Sequence, residues 1–331
     1  MWWPIPAKRT LWSKETINKN YLLNIIHHQK VRAVPLPGPP RRPLKNVTAQ
    51  ISLTGIGLKK SKTSKAFDSF QLNRFISYHS PENNHILGIR IDSTSYYDAT
   101  DRILNWALCG EKKYVCVANV HMVMEAYNDS HLLKIINNSG LVTPDGMPLV
   151  WTMRMLGLKN QTRVYGPTLT LRICDAASKI GLPVGFYGGR PETIKYLLKN
   201  ISNWFPSLKI AYAYSPPFQP LRPEEDEAEV QNINKSGAKI LFVGLGCPKQ
   251  EHWLFNHIGK INAVMIGVGA AFDYHAGLKK QAPRWMMGIG LEWLFRLCNE
   301  PRRLWRRYLY NNPRYLFLAA RQILKERQLR S

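Results

Sequence analysis

The chain has 331 residues, 45% of them hydrophobic and 21% charged, which is ordinary for a globular protein of one large or two ordinary domains. No apolar run reaches the length of about 18 residues that a membrane-spanning helix needs. The net charge is +24, and most of it lies at the two ends, because residues 1–85 carry 14 basic and 3 acidic side chains and residues 279–331 carry 13 and 3. This distribution predicts that an anionic partner, either nucleic acid or a membrane surface, meets the ends of the chain.

Residues 1–84 are predicted to form a basic extension of low order. They show weak periodicity and contain a Pro-rich stretch over 35–43 and a Lys/Ser run over 59–65. Their acidic-poor, Ser-containing composition also fits an organelle transit peptide, and no apolar region of a secretory signal is present. The five cysteines have neither metal nor redox spacing, so they are predicted to be reduced, as in a cytoplasmic protein.

Residues 85–278 alternate short apolar runs with helical stretches, which predicts a Rossmann-like α/β domain with a parallel sheet and helices on both faces. Strands are predicted over residues 86–91, 114–117, 184–187, 208–214, 239–243 and 263–266, with a further apolar run just before Asp145. Helices between them are predicted to end near residues 109, 138, 156, 180, 204 and 235.

Residues 279–331 are predicted to form a helical appendage. Three short helices are expected over 285–297, 301–309 and 313–329, with breaks at Pro301 and Pro313. Trp, Tyr and Phe residues alternate there with arginines, a mixture suited to the headgroup region of a membrane. Each basic residue near an anionic leaflet contributes about 1 kcal/mol, so even half of them would hold the chain at that surface.

A single carboxylate, Asp145, follows a short apolar run and precedes an apolar helix. Thr143, Pro144 and Gly146 mark the end of a strand, and ligands of open parallel sheets bind at the carboxyl ends of the strands. Pro-Asp-Gly is also a common turn sequence, and the residues alone leave both interpretations open.

Two glycine-rich strand exits, Gly244-x-Gly246 and Gly267-x-Gly269, can bring backbone N–H groups close to a phosphate, although glycine at a strand exit also serves turn geometry alone. Neither completes a dinucleotide fingerprint and no P-loop occurs, which argues against hydride transfer and ATP hydrolysis. There is no Asp-x-Asp pair, and the histidines at 121, 252 and 275 lack metal spacing. The sequence therefore predicts neither a metal nor a cofactor.

Several motifs occur in one order along the chain. They are Asn119 with His121, Pro144-Asp-Gly146, Arg163 with Gly166, Gly188-Gly189, Val243-Gly-Leu-Gly-Cys-Pro-Lys-Gln-Glu251, Gly267-Val-Gly-Ala-Ala-Phe-Asp273, Ala282-Pro-Arg-Trp285 and Gly290-Leu-Glu-Trp293. This series, over about residues 86–320, resembles the WecG/TagA/CpsF family of bacterial glycosyltransferases.

The resemblance implies an inverting, metal-independent transfer of a sugar from a UDP-sugar to N-acetylglucosamine linked to undecaprenyl diphosphate, in the synthesis of a cell-surface polysaccharide or teichoic-acid-type polymer. The implied donor carries N-acetylmannosamine; UDP-N-acetylmannosamine uronic acid and UDP-glucose are alternatives. The implied location is the inner face of the cytoplasmic membrane, with the chain peripherally attached. A basic nucleic-acid-binding protein is the alternative from another class, and it leaves the ordered motifs unexplained. The oligomeric state, including a homo-oligomer, stays open.

The resemblance also implies roles for individual residues. Asp145 is the implied general base, and Asn119, Arg163 and Gln250 line its site. The implied nucleotide-sugar residues are Gly188, Gly244, Gly246, Glu251, Gly267, Gly269, Phe272 and Asp273. Arg296, Arg303 and Arg306 of the appendage are the implied diphosphate ligands, and the appendage would act as a lid. Family members often have Thr-Pro-Asn where this chain has Val117-Ala118-Asn119, and the lost hydroxyl leaves open one contact to the diphosphate and the identity of the donor sugar.

Overall fold

The computed structural model describes residues 83–330, so the predicted extension lies outside the described range except for its last two residues. The strands are β1 (Asn83–Ile86), β2 (Ile89–Asp92), β3 (Tyr114–Ala118), β4 (Leu141–Pro144), β5 (Val184–Gly188), β6 (Ile210–Tyr214), β7 (Ile240–Gly244) and β8 (Val264–Gly267). The helices are α1 (Tyr96–Cys109), α2 (Val120–Asn128), α3 (Ser130–Asn137), α4 (Met147–Met155), α5 (Gly166–Ile180), α6 (Pro191–Trp204), α7 (Pro223–Ser236), α8 (Lys249–His257), α9 (Ala271–His275), α10 (Arg284–Gly288), α11 (Glu292–Asn299) and α12 (Pro301–Arg330).

Six of these strands form one parallel sheet in the order β4-β3-β8-β7-β5-β6. Strands β3, β4, β5 and β8 are buried along their whole length, as expected for a sheet covered on both faces. Because all six strands run in one direction, their carboxyl ends meet at a single edge. The predicted Rossmann-like α/β fold is confirmed, and the strand exits singled out in the sequence lie along that edge.

Helices cover both faces of the sheet and produce two hydrophobic cores. Side chains of α1, α5, α6 and α9 form the core on one face. Side chains of α2, α3, α4, α7 and α8 form the core on the other face, and α12 packs over α2 and α4 there. The appendage therefore reaches the same edge of the sheet at which β3 and β4 end.

The first predicted strand, residues 86–91, is instead a tight antiparallel hairpin of β1 and β2. Leu87 and Gly88 form its turn with positive φ angles of 52° and 88°. Two-residue hairpin turns require such angles, but they usually carry Asn-Gly or Asp-Gly, and Leu-Gly gives no such signal. The single helix predicted to end near Asn138 is likewise divided, because Asp129 accepts hydrogen bonds from the backbone N–H groups of His131 and Leu132 and caps α3.

The predicted break at Pro313 is wrong, because α12 continues through it as one helix of 30 residues. A proline inside a helix costs about 3 kcal/mol or more. Leu304, Tyr308, Tyr315 and Ile323 are buried on both sides of the proline, and each large apolar side chain contributes about 1.5–3 kcal/mol when buried. This packing outweighs the cost of the proline.

The helix predicted over residues 285–297 is divided at Gly290, which has a φ of 74°. A Cβ at this position would lie 2.5 Å from the ring of Trp151 in α4. Only glycine therefore permits both the left-handed backbone and the close approach of α4. The turn directs α11 back over the carboxyl ends of β3 and β4.

Candidate active site

Asn119 and Asp145 follow adjacent parallel strands, and each is next to the start of a helix. Asn119 caps α2, with its side-chain oxygen accepting a hydrogen bond from the backbone N–H of Met122. The backbone N–H of Asp145 donates to the carbonyl of Ala118 at 2.8 Å, which ties the two strand exits together. Helix α4 starts after Gly146 and has no side-chain cap. Two helix N-termini, each with a partial positive charge, thus lie beside Asp145.

Arg163 connects Asp145 to Glu292, which comes from helix α11 of the appendage. Its Nη2 lies 3.3 Å from Asp145 Oδ1 and 2.6 Å from Glu292 Oε2, and its Nε donates to the backbone carbonyl of Asp145. The guanidinium also lies over the ring of Tyr165, 4.2 Å from the centroid. Arg163 is therefore held on several sides, and it links the body of the chain to the appendage.

Burial raises the pKa of Asp145 from 3.8 to about 6, against the opposing attraction of Arg163. The nearby negative charge of Glu292 raises it further. A carboxyl group with a pKa near 6 is mostly ionised at neutral pH and is a stronger base than an ordinary aspartate. Asp145 can therefore accept a proton from a bound hydroxyl group, which is the property required of a general base.

Asp145 and Arg163 face a cavity of about 270 Å³ between the carboxyl end of the sheet and the appendage. The body contributes Asn119, Val120, His121, Asp145, Gly146, Met147, Pro148, Trp151 and Arg163 to its lining. The appendage contributes Ile289, Gly290, Leu291, Glu292, Trp293, Arg296, Arg307, Tyr308, Asn311, Asn312, Tyr315 and Leu316. The two parts of the chain thus form the cavity together.

Two guanidinium groups, Arg296 and Arg307, line this cavity without forming a salt bridge to any described residue. Both Nε atoms are buried and lack a hydrogen-bond partner within the described part of the chain. Burial, together with the charge of Arg296, lowers the pKa of Arg307 below its usual value. Buried N–H donors without partners carry a desolvation cost that an anion in the cavity would relieve. The pair is therefore suited to hold phosphate groups.

His121 lies in the same cavity as a neutral side chain. Burial lowers its pKa to about 3, and the charges of Arg307 and Arg296 lower it further. Its Nδ1 is 3.4 Å from the side-chain nitrogen of Asn311. Since the imidazole carries no charge at neutral pH, the positive charge of the cavity comes from the arginines.

The arginines of the appendage that line the cavity are not the set that the sequence predicted. Arg296 lines the cavity, and its predicted contact with a diphosphate stays a prediction. Arg303 pairs with Glu300 at 2.7 Å, and Arg306 lies beside Trp305. Neither lines the cavity, whereas Arg307 does. The prediction of three short helices in the appendage did not indicate which of these arginines would face the cavity. A continuous α12 places Arg307 and Asn311 one turn apart on one side of the helix.

The glycine-rich exits of β5 and β7 are packed tightly against each other and against Phe272. A Cβ on Gly188 would lie 2.7 Å from the carbonyl carbon of Gly244, and a Cβ on Gly244 would lie 2.6 Å from the ring of Phe272. Phe272 itself is buried and packs edge-on against Phe186. These contacts explain glycine at both positions by packing alone, so a nucleotide-binding role for Gly188, Gly244 and Phe272 stays a prediction.

Gln250 is buried beneath the β8 exit and is not part of the cavity around Asp145. Its side-chain nitrogen donates to Glu251 Oε1 at 2.7 Å, and it fills the space that a side chain at Gly267 would need. Burial also raises the pKa of Glu251. Gln250 Oε1 and Glu251 Oε2 lack partners within the described residues. The predicted roles of this pair, and of Gly246 and Gly269 at their positive φ angles, stay predictions.

Asp273 joins the glycine-rich edge to the appendage. Its carboxylate lies 2.9 Å from Lys279 Nζ and accepts a hydrogen bond from Thr193, and Lys279 also lies 3.5 Å from Glu300. An Asp273 engaged in this way fixes the segment that leads into α10. Its predicted contact with a nucleotide stays a prediction.

Sequence reasoning missed two charged residues of the cavity, Glu292 and Arg307. Glu292 stood inside the Gly290-Leu-Glu-Trp293 motif, but no pattern paired it with Arg163, which is 129 positions earlier.

Among residues 83–330, no three His, Cys, Asp or Glu side chains come together as a metal site. No helix within that range is both long and apolar enough to cross a bilayer.

Comparisons with known proteins assign the chain to a family. The family model described as "Glycosyl transferase WecG/TagA/CpsF family" matches residues 84–329. The chain is 30% identical over 213 residues to the N-acetylglucosaminyldiphosphoundecaprenol N-acetyl-beta-D-mannosaminyltransferase of Bacillus subtilis (strain 168), covering 64% of this chain and 79% of that protein. It is 30% identical over 206 residues to the protein of the same name from Bacillus spizizenii, covering 61% of this chain and 77% of that protein. The region that the family model matches includes the sheet, the cavity and most of the appendage.

Proposed function

Because the chain belongs to the WecG/TagA/CpsF family of glycosyltransferases, we propose that it transfers an N-acetylmannosamine-like sugar from a UDP-sugar to N-acetylglucosamine on undecaprenyl diphosphate. The reaction inverts the anomeric centre and uses no metal ion, and it serves the synthesis of a cell-surface polymer. The observation that carries this proposal is one cavity that joins Asp145, whose pKa is raised to about 6, to the unpaired guanidinium groups of Arg296 and Arg307. The relatives' printed names supply the acceptor and the sugar.

Asp145 acts as the base of the transfer. A hydroxyl oxygen of the acceptor sugar forms a bond to the anomeric carbon of the donor, and its proton passes to the Asp145 carboxylate. The bond between the anomeric carbon and the terminal phosphate oxygen of UDP breaks, and UDP leaves with the electron pair. One base on the face opposite the leaving group is sufficient for inversion. Arg163, held by Glu292 at 2.6 Å, keeps the Asp145 carboxyl in position.

Arg296 and Arg307 hold the diphosphate of the acceptor. Charge-assisted hydrogen bonds from guanidinium to phosphate are among the strongest that a protein forms. The N-termini of α2 and α4 add a favourable dipole to the same cavity. The guanidinium donors neutralise the charge of the acceptor's diphosphate without a metal ion, which supports the metal-independent part of the proposal.

The UDP-sugar binds along the neighbouring β5, β7 and β8 exits. The turns at Gly246 and Gly269 have positive φ angles, and a Cβ at Gly246 would meet no atom within 4 Å, so the backbone there is open to a ligand. UDP-N-acetylmannosamine is the proposed donor, and the uronic acid and UDP-glucose are the alternatives.

The outer surface of α12 supports attachment to a membrane. Trp305, Leu309, Tyr310 and Phe317 are exposed large hydrophobic residues. Arg302, Arg306, Arg321 and Lys325 lie on the same helix and are exposed as well. An amphipathic helix of this composition binds the headgroup region of an anionic leaflet. The proposed location is therefore the inner face of the cytoplasmic membrane, where a lipid-linked acceptor and a soluble nucleotide sugar both reach the cavity.

The test is a transfer assay with the full chain. Each of the three UDP-sugars is mixed with N-acetylglucosamine on a prenyl diphosphate, with and without EDTA, and the disaccharide lipid and UDP are measured. We expect product from UDP-N-acetylmannosamine at an unchanged rate in EDTA. No product from any of the three donors would contradict the proposed transfer, and loss of activity in EDTA that Mg²⁺ restores would contradict metal independence.

A second assay addresses the basic surface. Flotation with anionic vesicles is compared with a gel shift on duplex and single-stranded nucleic acid at moderate salt. We expect flotation without a shift. A salt-resistant shift without flotation would instead favour the nucleic-acid-binding alternative.

A further inference from the structure

The mouth of the cavity has an apolar rim. Of all the side chains that line the cavity, three are exposed, namely Trp151, Ile289 and Leu316, at 37%, 55% and 58%. All three are apolar, whereas the ionised groups Asp145, Arg163, Glu292, Arg296 and Arg307 are each less exposed. Binding sites in water usually have the reverse order, with an apolar centre and a polar rim.

The rim belongs to the same cavity as the two unpaired arginines. A ligand that fills both parts must carry a phosphate group at one end and an apolar chain at the other. Inorganic phosphate would leave the three rim side chains uncovered, and a nucleotide would place a polar ribose and base against them.

We propose that Trp151, Ile289 and Leu316 form a subsite for the first isoprenoid units of the prenyl-diphosphate acceptor. The diphosphate lies against Arg296 and Arg307, and the chain leaves the cavity between α4 and α12. This subsite rests on the proposed function and adds to it a direct contact with the lipid chain. The enzyme thereby recognises its acceptor as a diphosphate joined to a prenyl chain, and it does not depend on the bilayer alone to present the chain.

The rim is held by the fold. The ring of Trp151 packs against Gly290, where any Cβ would lie 2.5 Å away. Leu316 follows Tyr315, whose hydroxyl is 2.8 Å from Thr152 Oγ1 in α4. Since α4 and α12 are joined by this buried contact, the spacing between the two sides of the rim is fixed before a ligand binds.

The test measures binding, so that it does not depend on turnover. Farnesyl diphosphate and inorganic diphosphate are titrated calorimetrically into the full chain in buffer without vesicles. We expect farnesyl diphosphate to bind more tightly. Ile289→Ser and Leu316→Ser should each weaken its binding about tenfold and leave the affinity for inorganic diphosphate unchanged.

Leu309→Ser is the matched control. Leu309 is 61% exposed and lies two turns before Leu316 on the same side of α12, but it does not line the cavity. Contact with a bilayer would involve both leucines, whereas contact with a bound chain involves only Leu316. We therefore expect Leu309→Ser to bind both ligands like the unchanged protein.

Three results would overturn the subsite. They are equal affinity of the unchanged protein for the two ligands, equal effects of Leu316→Ser and Leu309→Ser on farnesyl diphosphate binding, and an effect of Leu316→Ser confined to vesicle flotation. Failure of the proposed function has a different readout, because it is the absence of sugar transfer and leaves these affinities unaffected.

Discussion

The two halves of the sheet edge are built on different principles. At β3 and β4, ionisable side chains from distant parts of the chain meet around a cavity, and burial moves the pKa of Asp145 to about 6. At β5 and β7, glycines let the backbone and Phe272 pack closely, as the 2.7 Å and 2.6 Å separations for an added Cβ show. The first half therefore brings charged side chains together, whereas the second half brings backbone segments into close contact. Substitutions in the first should change the chemistry, and substitutions in the second should first change stability.

Asp145→Asn should have the largest effect on the charged half. Loss of the base should lower kcat by about 10²–10⁴-fold, as for other general bases. The folded state favours the neutral form of this carboxyl, so the stability that Asp145 contributes is fully present below its ordinary pKa of 3.8 and is lost as the pH rises through about 6. At pH 7 the free energy of unfolding of the asparagine variant should therefore be about 1–3 kcal/mol higher than that of the unchanged protein. Steady-state kinetics and denaturant titration at pH 7 measure both effects, and unchanged transfer would refute the assignment of the base.

Arg307→Gln should lower kcat/KM for the lipid diphosphate by about 10–100-fold, because a charge-assisted hydrogen bond contributes about 1.5–3 kcal/mol. Arg306→Gln is the control, since Arg306 is next in the chain and lies beside Trp305, outside the cavity. The kinetics are measured with one acceptor in detergent. Equal losses in the two variants would mean that the arginines act only through general surface charge.

Gly244→Ala tests the packed half. The added Cβ meets Phe272 in a filled core, and overpacking of this kind costs about 1–3 kcal/mol in the free energy of unfolding. Gly288→Ala is the control, because a Cβ there meets no atom within 4 Å and should change stability by less than about 0.5 kcal/mol. Denaturant titrations of the two variants and of the unchanged protein measure these differences in the free energy of unfolding. A Gly244→Ala protein as stable as the unchanged one would show that this edge is not tightly packed.

Glu292→Gln should have the smallest effect, a shift in the pH profile. Activity falls as the pH drops through about 6 because Asp145 becomes protonated. Removing the charge of Glu292 lowers the pKa of Asp145, so the acidic limb of kcat/KM should move to lower pH. Glu300→Gln removes the same charge from a residue that pairs with Lys279 and Arg303 instead, and it should leave the limb in place. An unmoved limb in Glu292→Gln would contradict this electrostatic coupling.

The sequence predicted the strand exits and the Rossmann-like sheet because apolar runs and turn residues are local signals. It placed Asp145 at the correct edge for the same reason. It did not predict the pairing of Arg163 with Glu292 or the choice of Arg307 over Arg306. Both depend on the rotation of a helix against the body, and that rotation follows from burial on both sides of Pro313, which local propensity opposes. The hairpin at Leu87 was missed because its turn lacks the residues that such turns favour.

The proline within α12 also interrupts the backbone hydrogen bonding of that helix. Pro313 has no N–H to donate to the carbonyl four residues earlier, so the helix lacks one backbone hydrogen bond there. Arg307 and Asn311 precede Pro313, and Tyr315 and Leu316 follow it. The missing hydrogen bond therefore separates the residues that line the charged part of the cavity from those that line its apolar rim, and the buried contacts on either side hold the helix together across it.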